Sequence, residues 1–291
     1  MFRKVEDLAQ AQGDTDQQTR AREGIANILL RQERFPEALR EYRSLIDTVR
    51  QQKRDLILVY YLNSLASILW KLGRYAEAHD TLKEEFEIAT RPVGGSTKAE
   101  AALHATASSA ALSERRFSEA ANEANKVLAL KDGSETEVVI TAKSLLGASL
   151  SARGQFAEGK RLCEEAVTEA LAAKDPSLIA HASMVLAEVL GDTGDARGAL
   201  DIASDVEERA KRSGQGDSEW RAAVIAGTSA RKLGELENAR AHCATATARL
   251  AALRQAWPPD DFKGYLTRPD VSRSHQQLEA LARSLGLPPP Q

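Results

Sequence analysis

Apolar residues recur along this chain of 291 residues at spacings of three and four, in stretches separated by short polar turns. This spacing places apolar side chains on one face of an α-helix. The stretches are about 17 residues long, so each helix would measure about 25 Å. The pattern predicts six consecutive pairs of helices, at residues 15–32 and 36–53, 55–72 and 75–90, 97–114 and 117–130, 135–153 and 156–174, 177–193 and 195–213, and 217–233 and 236–256.

A short phrase at the turn inside each pair repeats along the chain. Its clearest copy, Leu72-Gly73-Arg74-Tyr75-Ala76-Glu77-Ala78, has a glycine, an aromatic residue two positions later and a small residue one helical turn beyond. The aromatic position recurs as Phe35, Tyr75, Phe117, Phe156, Ala196 and Leu236, at intervals of 40, 42, 39, 40 and 40 residues. A fixed period of this length indicates a solenoid, in which each unit buries its apolar face against its neighbours.

Two further positions hold a small residue in all six copies, one nine residues before the aromatic position and one three residues after it. They are Ala26, Ala66, Ser108, Gly147, Ala187 and Gly227, and Ala38, Ala78, Ala120, Gly159, Ala199 and Ala239. Small side chains let the two helices of a pair approach closely, while larger apolar residues fill the gaps between them. The aromatic position is expected to plug the turn.

This arrangement resembles the tetratricopeptide repeat, in which a bulky residue, a small residue, a Gly-x-aromatic turn and a second small residue follow in this order. The resemblance covers about residues 15–253, and its period of about 40 residues in place of 34 is that of longer-period members such as the kinesin light chain type. It implies an all-α solenoid of six helix pairs in a right-handed superhelix. HEAT and armadillo arrays, which share the period but lack this turn, are the alternative.

The sequence divides into three predicted parts. Residues 1–14 form a partial N-terminal repeat helix, and residues 257–291 an irregular segment, a capping helix and a proline-rich end. Between them, residues 15–256 form the array, with units at 15–53, 54–90, 97–130, 134–174, 176–213 and 216–256. The capping helix, at about 271–285, is expected to cover the sixth pair with Val271, Leu278, Leu281 and Leu285.

Two expectations concern the ends of the array. Ala226 and Ala230 replace larger core residues in the sixth pair, so this pair is expected to be the loosest. At the other end, the apolar edge of residues 1–12 is uncapped, which predicts a homodimer or a preceding domain.

Composition and charge exclude several classes of function. Lys plus Arg number 39 and Asp plus Glu 42, and the net charge of -3 provides no field to attract nucleic acid or acidic lipid. No apolar run approaches the roughly 20 residues of a membrane span, and no signal segment is evident, so a cytoplasmic protein is expected. Cys163 and Cys243 occupy the same repeat position two units apart, beyond disulfide reach, and are interpreted as buried thiols.

The sequence offers no catalytic or metal-binding grouping. Its five histidines are scattered over different helices without a partner one turn away: His79, His104, His181, His242 and His275. Neither a Ser/His/Asp set, nor paired carboxylates, nor a phosphate-binding loop emerges. We therefore expect a protein without enzymatic activity, cofactor or metal.

The resemblance implies that the first helix of each pair lines a concave groove. The candidate groove residues are Asn27, Arg31, Tyr60, Asn63, Ser67, Trp70, Lys71, His181, Arg221 and Arg231. Their amide, aromatic and cationic groups suit an extended or helical peptide. Alternatively, Tyr60 and Trp70 only pack against the next repeat. Glu23 stands where arrays that hold a chaperone C-terminal carboxylate carry a lysine, which argues against that function.

Two hypotheses of function follow. The first is a non-enzymatic interaction scaffold that binds a peptide or protein segment in its groove. The second is a regulatory or sensor module of a bacterial signalling system, acting through self-association or binding of a small ligand. The second hypothesis also depends on residues 262–271, which resemble the segments that end repeat arrays in bacterial multidomain signalling proteins, including kinases and cyclases.

Overall fold

The computed structural model describes residues 15–89, 97–130 and 135–290, and in these residues the secondary structure is entirely helical. The predicted helices agree with the observed ones to within one or two residues at each end. The fourteen helices of the described ranges are α1 (Thr15–Arg31), α2 (Phe35–Gln51), α3 (Asp55–Lys71), α4 (Tyr75–Ala89), α5 (Thr97–Ser113), α6 (Phe117–Ala129), α7 (Thr136–Ala152), α8 (Phe156–Ala173), α9 (Pro176–Thr193), α10 (Ala196–Ser213), α11 (Gly216–Lys232), α12 (Leu236–Ala256), α13 (Pro259–Thr267) and α14 (Pro269–Ser284).

Helices α1 to α12 form six stacked pairs. In each pair the first helix packs against the second, and the second packs against the first helix of the next pair. From α3 to α11, the first helices of neighbouring pairs also contact each other, so they form one continuous side of the array. This arrangement confirms the prediction of an all-α solenoid.

The turn inside each pair is built on one residue in the left-handed conformation, two positions before the aromatic position. Glycine holds this place in four pairs, for example Gly73 with φ 70° and Gly194 with φ 93°. Glu33 and Arg115 adopt the same conformation with φ 57° and 61°. Left-handed backbone costs a residue with a Cβ atom about 1 kcal/mol, so glycine is the favoured residue here.

The small positions bring paired helices into close contact. Every alanine at these positions is fully buried. A Cβ atom on Gly147 of α7 would lie 2.6 Å from the Cys163 sulfur and 2.7 Å from the Gly159 carbonyl oxygen of α8. Cys163 itself is a buried free thiol, as is Cys243, which confirms their interpretation as core residues. The small residues are thus required by helix spacing.

The aromatic position, in contrast, is not a plug in every copy. Phe35 is buried, but Phe156 is 53% exposed and Leu236 is 46% exposed. The prediction of a buried aromatic plug was wrong for Phe156, while Leu236 is one of the two copies in which the aromatic residue is replaced. The turn conformation and the small contacts suffice to hold a pair together, and Phe35 is buried by a segment far away in the sequence.

The C-terminal segment, residues 257–290, contains more helix than predicted. The stretch expected to be irregular forms α13, with Pro259 in its first turn, where the missing N–H is not needed. The predicted capping helix is α14, and Leu281 lies on the surface of the sixth pair, close enough that a Cβ atom on Gly227 would be 2.7 Å from it. Val271, Leu278 and Leu285 are also buried, so the capping prediction is confirmed.

The packing of this segment contradicts the basis for a loose sixth pair. Trp220 and Leu250, on the two helices of that pair, are almost completely buried, and the indole N–H of Trp220 donates to the Tyr265 hydroxyl at 2.7 Å. Ala226 and Ala230 are fully buried, in the hydrophobic cluster that also contains residues of α13 and α14. The small residues accommodate neighbouring helices and do not leave voids.

The C-terminal segment also returns to the first two pairs, so the array closes on itself. Trp257 packs edge-on against Phe35, with ring centroids 5.7 Å apart. The Arg268 guanidinium donates to the Lys71 carbonyl oxygen at 3.1 Å. Gly264 approaches the α3–α4 turn so closely that a Cβ atom there would be 2.5 Å from the Leu72 oxygen.

The start of α11 also contacts the first pair of helices. Gln215 donates to the Arg31 carbonyl oxygen at 3.1 Å, and the Glu33 carboxylate accepts from the Ser218 amide at 2.8 Å and from the Ser218 hydroxyl. One continuous hydrophobic core therefore includes residues of the first two and the last two pairs together with α13 and α14. We refer to the contacts of residues 31–35 and 71–74 with residues 215–218 and 257–268 as the closing contact.

Candidate functional site

The side of the array formed by the first helices surrounds a cavity of about 320 Å³. It is bounded by the end of α3, by α5, by the first turns of α7 and α9, and by Arg268 of the closing contact. Six of the side chains that line it carry a hydroxyl group: Ser67, Thr106, Ser109, Ser113, Thr141 and Ser177. The charged and ring side chains that line it are Trp70, Lys71, Glu137, His181 and Arg268. We call this space the concave cavity.

Lys71, the last residue of α3, brings a positive charge into the cavity. Its side chain lines the cavity and is half-buried. Among the described residues, no group lies within hydrogen-bond or ion-pair distance of its ammonium. Burial lowers the pKa of Lys71, and the neighbouring Arg268 and Arg221 lower it further. The ammonium is thus a partly desolvated charge without a direct counter-ion.

His181, in the second turn of α9, is the imidazole of the cavity wall. Its Nε2 atom is buried and has no hydrogen-bond partner among the described residues. Burial lowers the pKa of His181 to about 4, and repulsion from Lys71 acts in the same direction. The ring is therefore neutral at physiological pH, with one nitrogen free for a ligand.

Glu137 places a negative charge in a different part of the cavity. Burial raises its pKa, Asp175 raises it further, and Arg31 lowers it. Lys71 is not among the main causes of this shift, and Glu137 is not among the main causes of the shift at Lys71. The cavity accordingly has a basic end at Lys71 and an acidic end at Glu137.

A network of buried ion pairs connects the cavity to the C-terminal segment. Asp270 pairs with Arg268 at 2.6 Å and with Arg221 at 3.2 Å, and Arg221 also reaches Glu188 at 2.8 Å. Burial alone would raise the pKa of Asp270, but the two guanidinium groups outweigh it and hold the pKa at about 2. Two arginines between two carboxylates make a locally balanced set.

The structure brings together half of the groove residues predicted from the sequence. Ser67, Trp70, Lys71 and His181 line the concave cavity. Arg221 lies in the ion-pair network next to it, with its guanidinium committed to Glu188 and Asp270.

Asn63 and Trp70 have structural partners. The Asn63 amide donates to Glu85 at 3.1 Å and accepts from the Thr106 hydroxyl at 3.1 Å. Trp70 is only 4% exposed, and its indole N–H donates to Glu114 at 2.7 Å. Trp70 thus agrees with the alternative that it packs within the array, because most of its ring is buried in the core and only part of it borders the cavity.

The remaining predicted residues do not line the concave cavity. Asn27 is exposed and accepts a hydrogen bond from the Tyr42 hydroxyl. Tyr60 is 47% exposed. Arg31 and Arg231, at the ends of α1 and α11, are also exposed, although Arg31 is close enough to Glu137 to lower the pKa of that carboxyl.

Sequence reasoning missed several residues of the site. Thr141 and Ser177 lie on first helices and could have been found by extending the repeat alignment to the fourth and fifth pairs. Arg268 carries no repeat signal, since it reaches the cavity only through the closing contact. Its proximity to Lys71 depends on two segments that are 197 positions apart.

The fold and the cavity define an α-solenoid of tetratricopeptide-repeat type, a scaffold fold that is generally non-catalytic. A family model described as tetratricopeptide repeat matches residues 17–91 of the chain. The recognition of this repeat is thereby confirmed over the alternative of HEAT or armadillo units. Comparison with curated protein sequences finds no significant match.

Solved structures with the same fold cover most of the chain. A Signal Transduction ATPase with Numerous Domains (STAND) protein with a tetratricopeptide repeat sensor from Pyrococcus horikoshii has a TM-score of 0.55 at 17% identity, and the match covers 98% of this chain but only 41% of that protein. A Rap protein complexed with Competence and Sporulation Factor has a TM-score of 0.58 at 12% identity, covering 89% and 78% of the two chains. Aspartyl phosphate phosphatase F from Bacillus subtilis has a TM-score of 0.55 at 14% identity, covering 83% and 68%.

At these identities the solved structures support the fold alone, and the chain spans about two fifths of the length of the Pyrococcus protein. Within the described ranges, no helix is long and apolar enough to cross a membrane. The same residues contain no cluster of three or more His, Cys, Asp or Glu side chains placed to hold a metal ion. The predicted self-association edge at 1–12 lies outside the described residues.

Proposed function

We propose that the protein is a non-enzymatic interaction module that binds a peptide or protein segment on the side formed by its first helices, at the concave cavity. The observation that carries this proposal is the composition of the cavity wall. Four successive first helices contribute side chains to one space, and these include hydroxyls, an imidazole and charges beside apolar groups such as Leu178.

Some polar groups of the cavity wall lack a hydrogen-bond partner. Buried polar groups in folded proteins are normally paired, whereas the buried His181 Nε2 atom has no partner among the described residues. The half-buried Lys71 side chain also makes no hydrogen bond or ion pair with a described residue. Ser109 and Ser177 likewise present hydroxyl groups to the space. A bound segment would supply the missing partners, and a volume of about 320 Å³ accommodates one or two of its side chains.

A regulatory sensor is the second candidate, and the closing contact favours it. Arg268 touches the cavity, the backbone of α3 and the Asp270 carboxylate at once. Occupation of the cavity would therefore be coupled to the position of the C-terminal segment. A signal transduction protein with a tetratricopeptide repeat sensor has the same fold, which is consistent with this candidate.

Filling the cavity tests the proposed function. Ser109 lines the cavity, while Ser118, at the start of α6, is exposed elsewhere on the surface. We expect Ser109→Trp to abolish recovery of a binding partner in affinity capture with mass spectrometry, and Ser118→Trp, the matched control, to leave it intact. Circular dichroism would verify that both variants keep the helical content of the parent protein.

A second measurement locates the binding surface. A photo-cross-linking amino acid at position 109 should form an adduct with the captured partner, and the same group at position 118 should not. Capture that persists in Ser109→Trp would show that binding takes place on another surface.

A further inference from the structure

We infer that the concave cavity binds an anionic group, a carboxylate or a phosphate, and that the Lys71 ammonium is its counter-ion. This inference rests on the proposed function, since it specifies the chemistry of the group that the cavity receives. It concerns the basic end of the cavity, where Lys71, His181 and Arg268 meet.

The first step is that the nearby carboxylates are already committed. Asp270 is held between Arg268 and Arg221, and Glu188 pairs with Arg221 at 2.8 Å. One oxygen of Asp217 accepts from the Tyr265 hydroxyl. These acids influence Lys71 only over a longer distance, so its three N–H donors are left for a ligand.

The second step is that the Lys71 charge is not offset by its surroundings. Arg268 and Arg221 repel the ammonium, whereas Asp217 and Asp270 attract it only from beyond ion-pair distance. A partly desolvated charge without a direct partner is costly, and an anion from outside removes this cost. Because Asp270 and Glu188 balance the two guanidinium groups, Lys71 is the charge available to such an anion.

The third step concerns neutral donors around the same point. The unpartnered Nε2 of His181 can donate to an anion when the proton is on that nitrogen. Ser67, one turn before Lys71, and Ser177, one turn before His181, add hydroxyl groups. The backbone amides at the start of α9 are not available, because the Asp175 side chain accepts from Ser177 and Leu178.

The acidic end of the cavity sets the orientation. Glu137, with Asp175 nearby, repels an anion from that end. An anionic group would thus be directed to Lys71 and not to the cavity as a whole. Glu137 also provides a matched control, since it lines the same cavity with the opposite charge.

The test compares Lys71→Met with the parent protein. Without any ligand, Lys71→Met should raise the melting temperature, because it replaces an unpaired buried charge with an apolar side chain of similar length. The probes are inorganic phosphate, succinate, a terminally blocked Gly-Glu-Gly peptide and its Gly-Gln-Gly counterpart. Titration calorimetry on the full chain should show binding of an anionic probe and loss of at least about tenfold in affinity in Lys71→Met.

Two further variants make the result specific. Lys71→Arg keeps the charge and should retain binding, and Glu137→Gln should retain or strengthen it. Binding of phosphate or succinate would identify a free small anion as the ligand, whereas binding of the Glu peptide alone would identify an acidic residue of a partner. Equal binding of the Glu and Gln peptides would show that charge is not recognised.

The inference is overturned if none of the anionic probes binds, or if Lys71→Met binds them as well as the parent protein. A lower melting temperature of unliganded Lys71→Met would also contradict it, because Lys71 would then be a structural counter-ion. If Ser109→Trp still abolishes partner capture while binding of the anionic probes does not depend on Lys71, the proposed function is supported and the anion site is rejected.

Discussion

Glu85 shows how a single carboxyl group is held inside the array. It lies on α4, its side chain is completely buried, and its hydrogen-bond donor is the Asn63 amide at 3.1 Å. Burial raises the pKa of Glu85 to about 8, and the Asn63 hydrogen bond offsets only part of this effect. Glu85 is thus protonated in the folded protein at neutral pH. Asn63, which was predicted to contact a ligand, therefore hydrogen-bonds to Glu85 and to the Thr106 hydroxyl.

This pKa predicts a pH dependence of stability. The unfolded chain releases the Glu85 proton near pH 4.5 and the folded chain near pH 8, so the free energy of unfolding should fall as pH rises through this window. Glu85→Gln, which cannot ionise, should remove this part of the dependence. Relative to the parent protein, it should gain of the order of 4 kcal/mol between pH 4 and pH 8.5. Urea denaturation of both proteins at several pH values measures the difference, and parallel curves would contradict the prediction.

At the scale of helices, the small positions decide how closely the two members of a pair approach. They could be predicted from the sequence, because a small residue at one spacing in six copies has no other simple cause. The role of the aromatic position could not be predicted as well, since burial at Phe35 depends on Trp257 and Phe156 has no such partner.

Two glycine substitutions separate packing from helix propensity. Gly147 and Gly191 both lie inside first helices, but a Cβ atom on Gly191 would have its nearest neighbour at 3.8 Å, compared with 2.6 Å for Gly147. We expect Gly147→Ala to lower the free energy of unfolding by about 2 kcal/mol through overpacking. Gly191→Ala should instead raise it by up to about 1 kcal/mol, because alanine favours the helix. Thermal and urea unfolding would measure both, and destabilisation of equal size would refute the distinction.

At the scale of the whole molecule, the closing contact converts an open array into one that surrounds a cavity. At the approach of Gly264 to the Leu72 carbonyl oxygen, the closing contact leaves no room for a side chain at position 264. The Phe35–Trp257 pair and the hydrogen bond from Arg268 to Lys71 then fix the C-terminal segment against the first two pairs.

Gly264→Ala should therefore weaken the closing contact while the helices persist. We expect a larger radius of gyration in small-angle X-ray scattering, and faster hydrogen exchange at residues 31–35 and 71–74. Lys263→Ala, an exposed position on the same helix, is the control and should leave both quantities unchanged. An unchanged radius of gyration and exchange rate in Gly264→Ala would show that the contact tolerates a Cβ atom.

The sequence by itself determined the helices, their pairing and the small contacts between them. These features depend on interactions between neighbouring units, and such interactions appear in the sequence as residues that recur with a period of about 40. Only the tertiary structure decided that the array closes, that α13 fills the stretch expected to be irregular, and that Lys71 meets Arg268 and His181 around one cavity. The physical reason is that closure depends on the rotation accumulated over six units and on contacts between segments up to 197 positions apart, which no local pattern encodes.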